Sequence, residues 1–297
     1  MRRRDFLKVM AGSSLLFITR KAFPLTATAP PVVGVVRGAD VERAVIKAVE
    51  LVGGIGRFVK PGAIVVVKPN IAWNVPPQLK ATTDPLVVRM VVHLCFQARA
   101  AKVYVFDRTC SNPRLTYVTS GIARAAREAG ATVLEVDEVS ARLYQPIAIP
   151  GGVYLKESLI NKRVLEADAL INVPVAKHHS SSLLTLGMKN MMGITGDNRQ
   201  KWHWQLHEAI SDINLAVRSH LTVIDATFIM LRSGPTGGSK DYLKKTDTII
   251  AASNVASADA EAARLFGKAP ESIGYLALAG QKGIGALSGY SREEAAL

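Results

Sequence analysis

Short aliphatic runs alternate with segments of helical periodicity along most of this 297-residue chain, and that alternation is the strongest constraint on its fold. Ala63–Val67 is a continuous run rich in β-branched residues, which is the pattern of a strand buried on both faces. Ala169–Val173 has the same character. Between such runs, Val41–Leu51 and Pro85–Ala98 space their apolar residues as helices do. The pattern predicts a three-layer α/β fold, with helices on both faces of a mainly parallel sheet.

One segment departs from this plan. Gln145–Leu155 alternates polar and apolar residues and contains Pro150-Gly151-Gly152, which predicts a β-hairpin inserted into the α/β fold. Further on, Thr248–Ala252 is predicted to be the last strand. No internal repeat or low-complexity linker divides the chain, so residues 30–297 are predicted to form one domain.

The first 29 residues differ in character from the rest. Residues 3–8 read Arg-Arg-Asp-Phe-Leu-Lys, a near-complete twin-arginine export motif, and the apolar run Val9–Ile18 follows. Such a motif is an address for the twin-arginine translocation machinery, which carries folded proteins. An ordinary basic leader, or a chance pair of arginines, is the alternative. We therefore predict a signal peptide over residues 1–29 and a periplasmic or otherwise extracytoplasmic location.

The fate of this leader is left open by its sequence. Ala27-Thr28-Ala29 has the small-x-small pattern of a cleavage site, but Pro30 directly after it would hinder a peptidase. An uncleaved membrane tether is the alternative. The apolar run is shorter than the roughly 20 residues that a membrane span needs, and no later segment is long and apolar enough. No stable membrane span is therefore expected once the leader is processed.

The charge of the chain favours anionic ligands. The formal net charge is +13, and the first 21 residues contribute +5 of it, which leaves +8 for the rest. A cationic surplus attracts anions through its long-range field, although a generally basic surface is the simpler explanation. Nucleic acid is not an expected partner, because the sequence has no basic helix with interleaved aromatic residues and no recognised binding module.

The two cysteines limit the redox chemistry of the chain. Cys95 falls in a predicted helix and Cys110 in a loop after a predicted strand. Two separate thiols are therefore favoured over a disulfide, although an exported protein permits one. Two cysteines cannot supply the four thiolates of an ordinary iron–sulfur cluster. An iron–sulfur cofactor is therefore not expected in this chain.

Polar residues follow several of the predicted strands. In an open α/β sheet, ligands bind outside the carboxyl ends of the strands. Lys68-Pro69-Asn70, Asp107-Arg108 and Lys177-His178-His179 each come after such a strand, and Asp225 ends another. Lysines at these ends suit carboxylate or phosphate groups, whereas ordinary strand-end and turn residues are the alternative. Neighbouring histidines project in different directions, so at most one of the pair is expected to face a site.

Two further segments carry candidate residues. Gly187–Gly193 adds the cation Lys189 and three methionines that are expected to be buried. His203 and His207 are spaced one turn apart on a predicted helix and are weak candidates for sharing a metal ion. Packing at the edge of the core accounts for the two histidines equally well. The spacing alone leaves both readings open.

These clusters, in this order, resemble the DUF362 family of uncharacterised proteins, from about Val33 to the C-terminus. The matching pieces are Val67-Lys68-Pro69-Asn70-Ile71, Asn172-Val173-Pro174, Lys177-His178, Gly187–Gly193, Trp202-His203, Asp225, Gly234-Pro235 and Ala256–Leu265. Many members of the family add a ferredoxin-like pair of iron–sulfur clusters. This chain has no such cysteine-rich module. The resemblance implies that the matching polar residues belong to a functional site.

The leading hypothesis is an enzyme that acts on a small anionic substrate, with the reaction and the cofactor unassigned. The predicted catalytic residues are His178 as the proton-transfer group, Lys177 and Asp225. The predicted substrate-binding residues are Lys68, Asn70, Lys189, Asn190 and Asp259. The two aspartates would orient the lysines or bind a divalent metal. The alternative is a non-catalytic periplasmic binding protein for an anion, a metal or a cofactor.

Overall fold

The computed structural model describes residues 30–135 and 142–297. The predicted signal peptide lies outside the described residues. The described strands are β1 (Val32–Arg37), β2 (Ile64–Pro69), β3 (Lys102–Val105), β4 (Thr132–Val133), β5 (Tyr144–Ala148), β6 (Glu157–Asn161), β7 (Ala169–Val173), β8 (Val175–His179), β9 (Leu183–Thr185), β10 (Leu221–Met230), β11 (Leu243–Ala252) and β12 (Ser291–Ala296). The α-helices are α1 (Val41–Leu51), α2 (Pro85–Gln97), α3 (Pro113–Thr119), α4 (Ile122–Glu128), α5 (Lys162–Glu166), α6 (Gly187–Asn190), α7 (Leu206–Ala216), α8 (Val255–Leu265) and α9 (Gly274–Gln281).

A mixed sheet of mostly parallel strands forms the centre of the protein. Its main path runs β12-β1-β11-β10-β7-β2-β3-β4, and β11 is the antiparallel strand in that path. β8 pairs in parallel with the far end of β10 and antiparallel with β9. Helices cover both sides of the sheet, so the predicted three-layer α/β class is confirmed.

The strand β2 shows why the chain forms a sheet buried on both faces. Its side chains point alternately to opposite faces. Val65 and Val67 join the apolar cluster that includes α1, α2 and α4, whereas Val66 joins the cluster on the other face with α7, α8 and α9. All three valines are fully buried. A continuous β-branched run satisfies both faces at once, which is the property that predicted the strand.

The inserted hairpin is present, with strands placed slightly outside the predicted segment. β5 and β6 pair antiparallel as a separate two-stranded sheet. Their connection is fixed by Asp212 of α7, whose buried carboxylate accepts the backbone N–H groups of Val153, Tyr154 and Leu155. A buried carboxylate held by several N–H groups anchors this loop to the main body.

The prediction that Thr248–Ala252 is the last strand is wrong. β12 follows it and pairs in parallel with β1 at the edge of the sheet. Its sequence, Ser-Arg-Glu-Glu-Ala-Ala, has no apolar alternation, and most of its side chains are exposed. An edge strand that buries little apolar surface leaves no hydrophobic pattern to predict it.

Two local facts complete the fold. Both cysteines are free, Cys95 buried in α2 and Cys110 exposed, and burial raises the pKa of the Cys95 thiol to about 12. Within residues 30–135 and 142–297, no helix is long and apolar enough to cross a membrane.

The order of the strands creates a switch point between β2 and β7. From β2 the chain proceeds to β3 and β4 on one side, and β7 and β10 lie on the other side. Open α/β sheets bind ligands in the crevice outside the carboxyl ends of the strands at such a point. Lys68 of β2 lies opposite Asn172 of β7 in the register. The fold therefore places the first predicted site residue at this crevice.

Candidate functional site

A cavity of about 260 Å³ lies at the switch point, and we call it the lysine cavity. It is built from residues at or beyond the ends of β2 and β3, from β8 and from α6. Its lining includes Lys68, Asn70, Asp107, Arg108, Cys110, Lys177, His179, Thr185, Lys189, Asn190, Arg199 and His203. Five of the predicted catalytic and substrate-binding residues meet here: Lys68, Asn70, Lys177, Lys189 and Asn190.

A buried ion pair between Lys68 and Asp107 lines the lysine cavity. Nζ of Lys68 lies 2.7 Å from Oδ1 of Asp107, and both side chains are almost fully buried. Lys68 Nζ also donates to the Pro69 carbonyl at 2.8 Å and to Oδ1 of Asn190 at 3.0 Å. Burial lowers the pKa of Lys68, and the neighbouring Asp107 opposes that shift. The ammonium group thus has two hydrogen-bond acceptors and, beside them, a carboxylate that compensates its charge.

Two glycines allow the backbone to approach buried carboxylates closely. A Cβ atom on Gly193 would lie 1.8 Å from Oδ1 of Asp107, and one on Gly187 would lie 2.7 Å from Oδ1 of Asp259. Such distances leave no room for any side chain. The glycines at both ends of Gly187–Gly193 therefore let this segment pack directly on two buried carboxylates.

Asparagine amides join the strands to α6. Nδ2 of Asn190 donates to Oδ1 of Asn172 at 2.8 Å and to the Lys68 carbonyl at 3.2 Å. Oδ1 of Asn190 accepts from Nδ2 of Asn70 at 3.0 Å. All three asparagine side chains are buried. A satisfied buried network of this kind fixes the positions of the groups it connects.

Lys177 projects into the cavity from β8 and is almost fully buried. Its Nζ donates to the Ala81 carbonyl and to Oδ1 of Asn70, the latter at 3.4 Å. In the described part of the chain it forms no ion pair with a carboxylate. Burial, and next the charge of Lys189, lowers the pKa of Lys177 to about 7. This ammonium group therefore sits in the cavity without a compensating carboxylate of its own.

Lys189 is the second cation of this kind. It lies on α6, is partly buried, and its Nζ contacts Sδ of Met192 at 3.8 Å. Burial lowers its pKa to about 8. Asp259 holds α6 in place by accepting the N–H groups of Gly187 at 2.6 Å and Met188 at 2.8 Å. Asp259 is not itself a lining residue of the cavity. Burial raises the pKa of its carboxyl to about 7.

The two cavity lysines are expected to make the unliganded protein more stable as pH rises. Their folded-state pKa values, about 7 for Lys177 and about 8 for Lys189, lie below the ordinary 10.5. The unfolded chain therefore binds more protons between these limits, and stability increases by up to about 1.4 kcal/mol per pH unit per lysine. Urea unfolding at pH 7, 8 and 9 measures this slope. A Lys177→Met, Lys189→Met variant is expected to be flatter, and an unchanged slope would contradict the assignment.

His179, and not His178, belongs to the cavity. Side chains alternate along β8, so Lys177 and His179 share one face and His178 takes the other. Nδ1 of His178 accepts the Gly234 N–H at 3.2 Å, outside the lining residues. Nδ1 of His179 accepts the N–H groups of Ser181 and Ser182, at 3.1 and 3.3 Å, which leaves the ring proton on Nε2.

His179 is a neutral group at physiological pH. Burial, and next the charge of Lys189, lowers its pKa to about 3. A histidine that stays neutral cannot act as a cationic acid near pH 7, but its Nε2–H remains a hydrogen-bond donor. The proton-transfer role predicted for His178 thus has no counterpart at His179.

Asp225 is also placed away from the cavity lining. It lies within β10, fully buried, and pairs in the register with Val175. Its carboxylate accepts the Asp84 N–H at 2.8 Å and both the N–H and the hydroxyl of Thr227. Burial raises the pKa of Asp225. Its contacts fix the backbone where α2 begins, since Asp84 is the N-cap of that helix.

The structure separates the two histidines that were candidates for a metal site. α7 begins at Leu206, and Gln205 before it has the non-helical angles φ −140° and ψ 57°. His203 lines the cavity and stacks with His179, with ring centroids 6.3 Å apart, whereas His207 stacks against Tyr275. No group of three or more His, Cys, Asp or Glu side chains among the described residues could hold a metal ion.

Sequence reasoning left several lining residues unassigned to the site, among them Asp107, Arg108, Thr185 and Arg199. Asp107-Arg108 carries a signal, because it directly follows a strand. Arg108 donates to the carbonyls of Thr195 and Asp197, and Arg199 to those of Arg108 and Thr109. Thr185 is buried, and its hydroxyl has no hydrogen-bond partner among the described residues. Arg199 comes from an irregular segment without a sequence pattern.

Comparison with known proteins finds similarity to a curated protein, to a solved structure and to a family model. The thylakoid-associated protein sll1697 of Synechocystis sp. (strain ATCC 27184 / PCC 6803 / Kazusa) is 28% identical over 208 residues, covering 64% of this chain and 59% of that protein. The lactate racemase apoprotein from Thermoanaerobacterium thermosaccharolyticum matches with a TM-score of 0.46 and 14% identity, over 82% of this chain and 59% of that one. The chain thus spans 59% of the length of each of these two proteins. Residues 65–264 match the model of the domain of unknown function DUF362, and this chain belongs to that family.

Proposed function

We propose that this protein is an enzyme that binds a small anion in the lysine cavity and transfers a proton at Lys177. The observation that carries the proposal is a charge imbalance. Besides the Lys68–Asp107 pair, the described lining contains four cationic side chains and no further carboxylate: Lys177, Lys189, Arg108 and Arg199. Cations brought together in a buried crevice repel one another unless an anion compensates them.

Lys177 is suited to proton transfer by its environment. A general acid or base works best when its pKa lies near the working pH, and burial brings the pKa of Lys177 to about 7. Its acceptors, the Ala81 carbonyl and Oδ1 of Asn70, hold the amine at one position. A lysine that is partly deprotonated at neutral pH both accepts and returns a proton.

The other lining groups would bind and orient the anion. Lys189 supplies a point charge with no carboxylate partner in the described chain. The neutral His179 would donate from Nε2, and the unpartnered Thr185 hydroxyl offers a further hydrogen bond. Lys68 would not supply an uncompensated charge to the anion, because Asp107 compensates it. Its Nζ already donates to the Pro69 carbonyl and to Asn190, so its role would be to position the groups around it.

The two predicted aspartates receive positioning roles in this proposal. Asp259 orients α6, and therefore Lys189, through two backbone N–H groups. Asp225 fixes the start of α2. Neither carboxylate lies among the cavity lining residues, so the proposal uses neither to bind the anion.

Sulfate binding and ligand capture test this proposal. Sulfate does not titrate near neutral pH, so its affinity reports on the protein groups alone. Isothermal titration calorimetry is expected to give one site per chain. Mass spectrometry of natively purified protein would then identify retained anions, and conversion of such an anion distinguishes an enzyme from a non-catalytic binding protein. Absence of sulfate binding would contradict the proposal.

We further propose that the protein works outside the cytoplasm after export by the twin-arginine route. The support is the Arg-Arg-Asp-Phe-Leu-Lys motif of residues 3–8. An Arg3→Lys, Arg4→Lys variant is expected to reduce the amount of exported protein about tenfold, because the translocation receptor reads the arginine pair. Immunoblots of cell fractions measure this, with Arg20→Lys as a matched control in the same leader. Undiminished export of the double variant would contradict the assignment.

A further inference from the structure

A second cavity, of about 630 Å³, shares one wall with the lysine cavity, and we call it the outer groove. Five residues line both spaces: Trp73, Arg108, Cys110, Arg199 and His203. The two spaces are therefore neighbours around one set of side chains. The lysine cavity alone is smaller than the roughly 300–1,000 Å³ of ordinary small-molecule sites, whereas the outer groove falls within that range. A ligand confined to the inner space would leave most of this crevice unused.

The outer groove differs from the lysine cavity in charge. Within residues 30–135 and 142–297, the residues that line it alone are Thr109, Gly196, Asp197, Asn198 and Gln200, and none of these is a cation. The carboxylate of Asp197 is already engaged, because it accepts the Ser158 hydroxyl and the Leu159 N–H. What remains for a ligand is neutral hydroxyl and amide groups. Away from the shared wall with Arg108 and Arg199, these described residues offer a charged substituent no partner, so that side of the groove suits an uncharged part of a ligand.

The boundary between the two spaces carries planar groups. The indole of Trp73 is partly buried, and the ring of His203 is exposed and stacks with His179 at an interplanar angle of 27°. The guanidinium groups of Arg108 and Arg199 are fixed by backbone carbonyls. Aromatic rings and guanidinium planes both stack favourably on a flat ring. The wall that the two spaces share is therefore suited to a planar group.

We propose that the ligand has two parts: an anionic head held in the lysine cavity, joined to an uncharged planar ring in the outer groove. The inference rests on the proposed function and specifies its substrate class, an aryl phosphate or aryl carboxylate. The charge difference between the spaces sets the orientation, with the head inward and the ring outward. The unpartnered Thr185 hydroxyl, in the lining of the lysine cavity alone, supports a polar head at the inner end.

Titration calorimetry at pH 8 with matched ligand pairs tests this inference. Phenyl phosphate is compared with methyl phosphate, and benzoate with acetate, which separates the two kinds of head. In at least one pair the ring is expected to strengthen binding about tenfold or more, since stacking on an aromatic side chain is worth that much. Phenol, which lacks the anionic head, is expected to bind far more weakly than phenyl phosphate.

Two tryptophan variants locate the ring. Trp73→Ala is expected to reduce the preference for the ring-bearing ligand to less than about threefold. Trp204→Ala is the matched control, because Trp204 is 80% exposed and lines neither cavity, and it is expected to keep the preference. A preference that survives Trp73→Ala would overturn the placement of the ring.

The remaining outcomes separate this inference from the proposed function. Equal affinity within both ligand pairs would overturn the two-part ligand and leave anion binding intact. Phenol binding as tightly as phenyl phosphate would overturn the inward position of the head. If none of the four anions binds, and sulfate does not bind either, the proposed function itself fails.

Discussion

A Lys177→Met, Lys189→Met variant is expected to bind sulfate at least about 100-fold more weakly than the wild type. The pair supplies two of the four cations that no carboxylate of the described lining compensates. A hydrogen bond to a charged group contributes about 1.5–3 kcal/mol, so two lost contacts amount to roughly 100-fold or more. Methionine keeps the length and the apolar stem of each side chain. Isothermal titration calorimetry measures the loss directly.

Exposed lysines provide the control for this result. Lys60→Met and Lys244→Met make the same side-chain replacement at two exposed lysines that lie outside the cavity. They are expected to leave the sulfate affinity within about threefold, since exposed charges are screened by salt. If the cavity double variant does not fold, the single Lys189→Met variant replaces it, because that side chain is only partly buried. Undiminished binding in a folded cavity variant would remove the basis of the proposed function.

Asp107→Asn is expected to destabilise the protein by about 3–5 kcal/mol, because it leaves the Lys68 cation buried without its carboxylate. The amide retains an oxygen that can accept the Ile71 N–H, now bonded to Oδ2 at 2.7 Å, so the change isolates the charge. Removing both charges, in an Asp107→Asn, Lys68→Met variant, is expected to recover part of the loss. Urea unfolding of the wild type, Asp107→Asn, Lys68→Met and the double variant gives the coupling energy.

The pH dependence of the unfolding free energy distinguishes a loss of charge from a loss of packing in these Asp107 and Lys68 variants. Without Asp107, which opposes the effect of burial, the pKa of Lys68 falls further. The penalty in Asp107→Asn is therefore largest while the amine is protonated and shrinks as pH rises and Lys68 releases its proton. A loss of unfolding free energy below about 0.5 kcal/mol, or a loss that is the same at pH 7 and pH 9, would contradict this account. It would show that Asp107 does not stabilise the buried charge of Lys68.

The sequence was informative where a local pattern decides the structure. The run Ala63–Val67 predicted a strand because valine on both faces fits only a doubly covered sheet. Lys68 and Asn70 followed from that strand, since its carboxyl end opens at the crevice. The burial predicted for Met188, Met191 and Met192 is confirmed by their near-complete exclusion from solvent.

Side-chain direction was harder to predict. β8 resumes directly after Pro174, so the segment of Lys177, His178 and His179 is a strand rather than a loop. Alternation along that strand places Lys177 and His179 on one face, and His178 on the other. A loop reading offers no such rule. Which of the two histidines faces the cavity therefore depends on a strand that the apolar pattern of the sequence does not indicate.

Four other residues show the same limit. Asp225 was taken as the end of a strand, but β10 continues to Met230 and buries the carboxylate within the sheet. Asp259 acts through a helix more than 60 residues away in sequence, a long-range contact that no local pattern encodes. His203 and His207 were placed on one helix, but α7 starts between them. In each case tertiary structure decided what local spacing could not.

The most direct test of the central claim is the number of protons taken up when sulfate binds at pH 8. Unliganded Lys177 and Lys189, with pKa values of about 7 and about 8, are then largely and partly deprotonated. An anion raises both pKa values, so binding is expected to take up about one proton. Calorimetry in buffers of different ionisation enthalpy counts it, with a smaller number in Lys177→Met. Sulfate binding without proton uptake would contradict the assignment of Lys177 as the proton-transfer group.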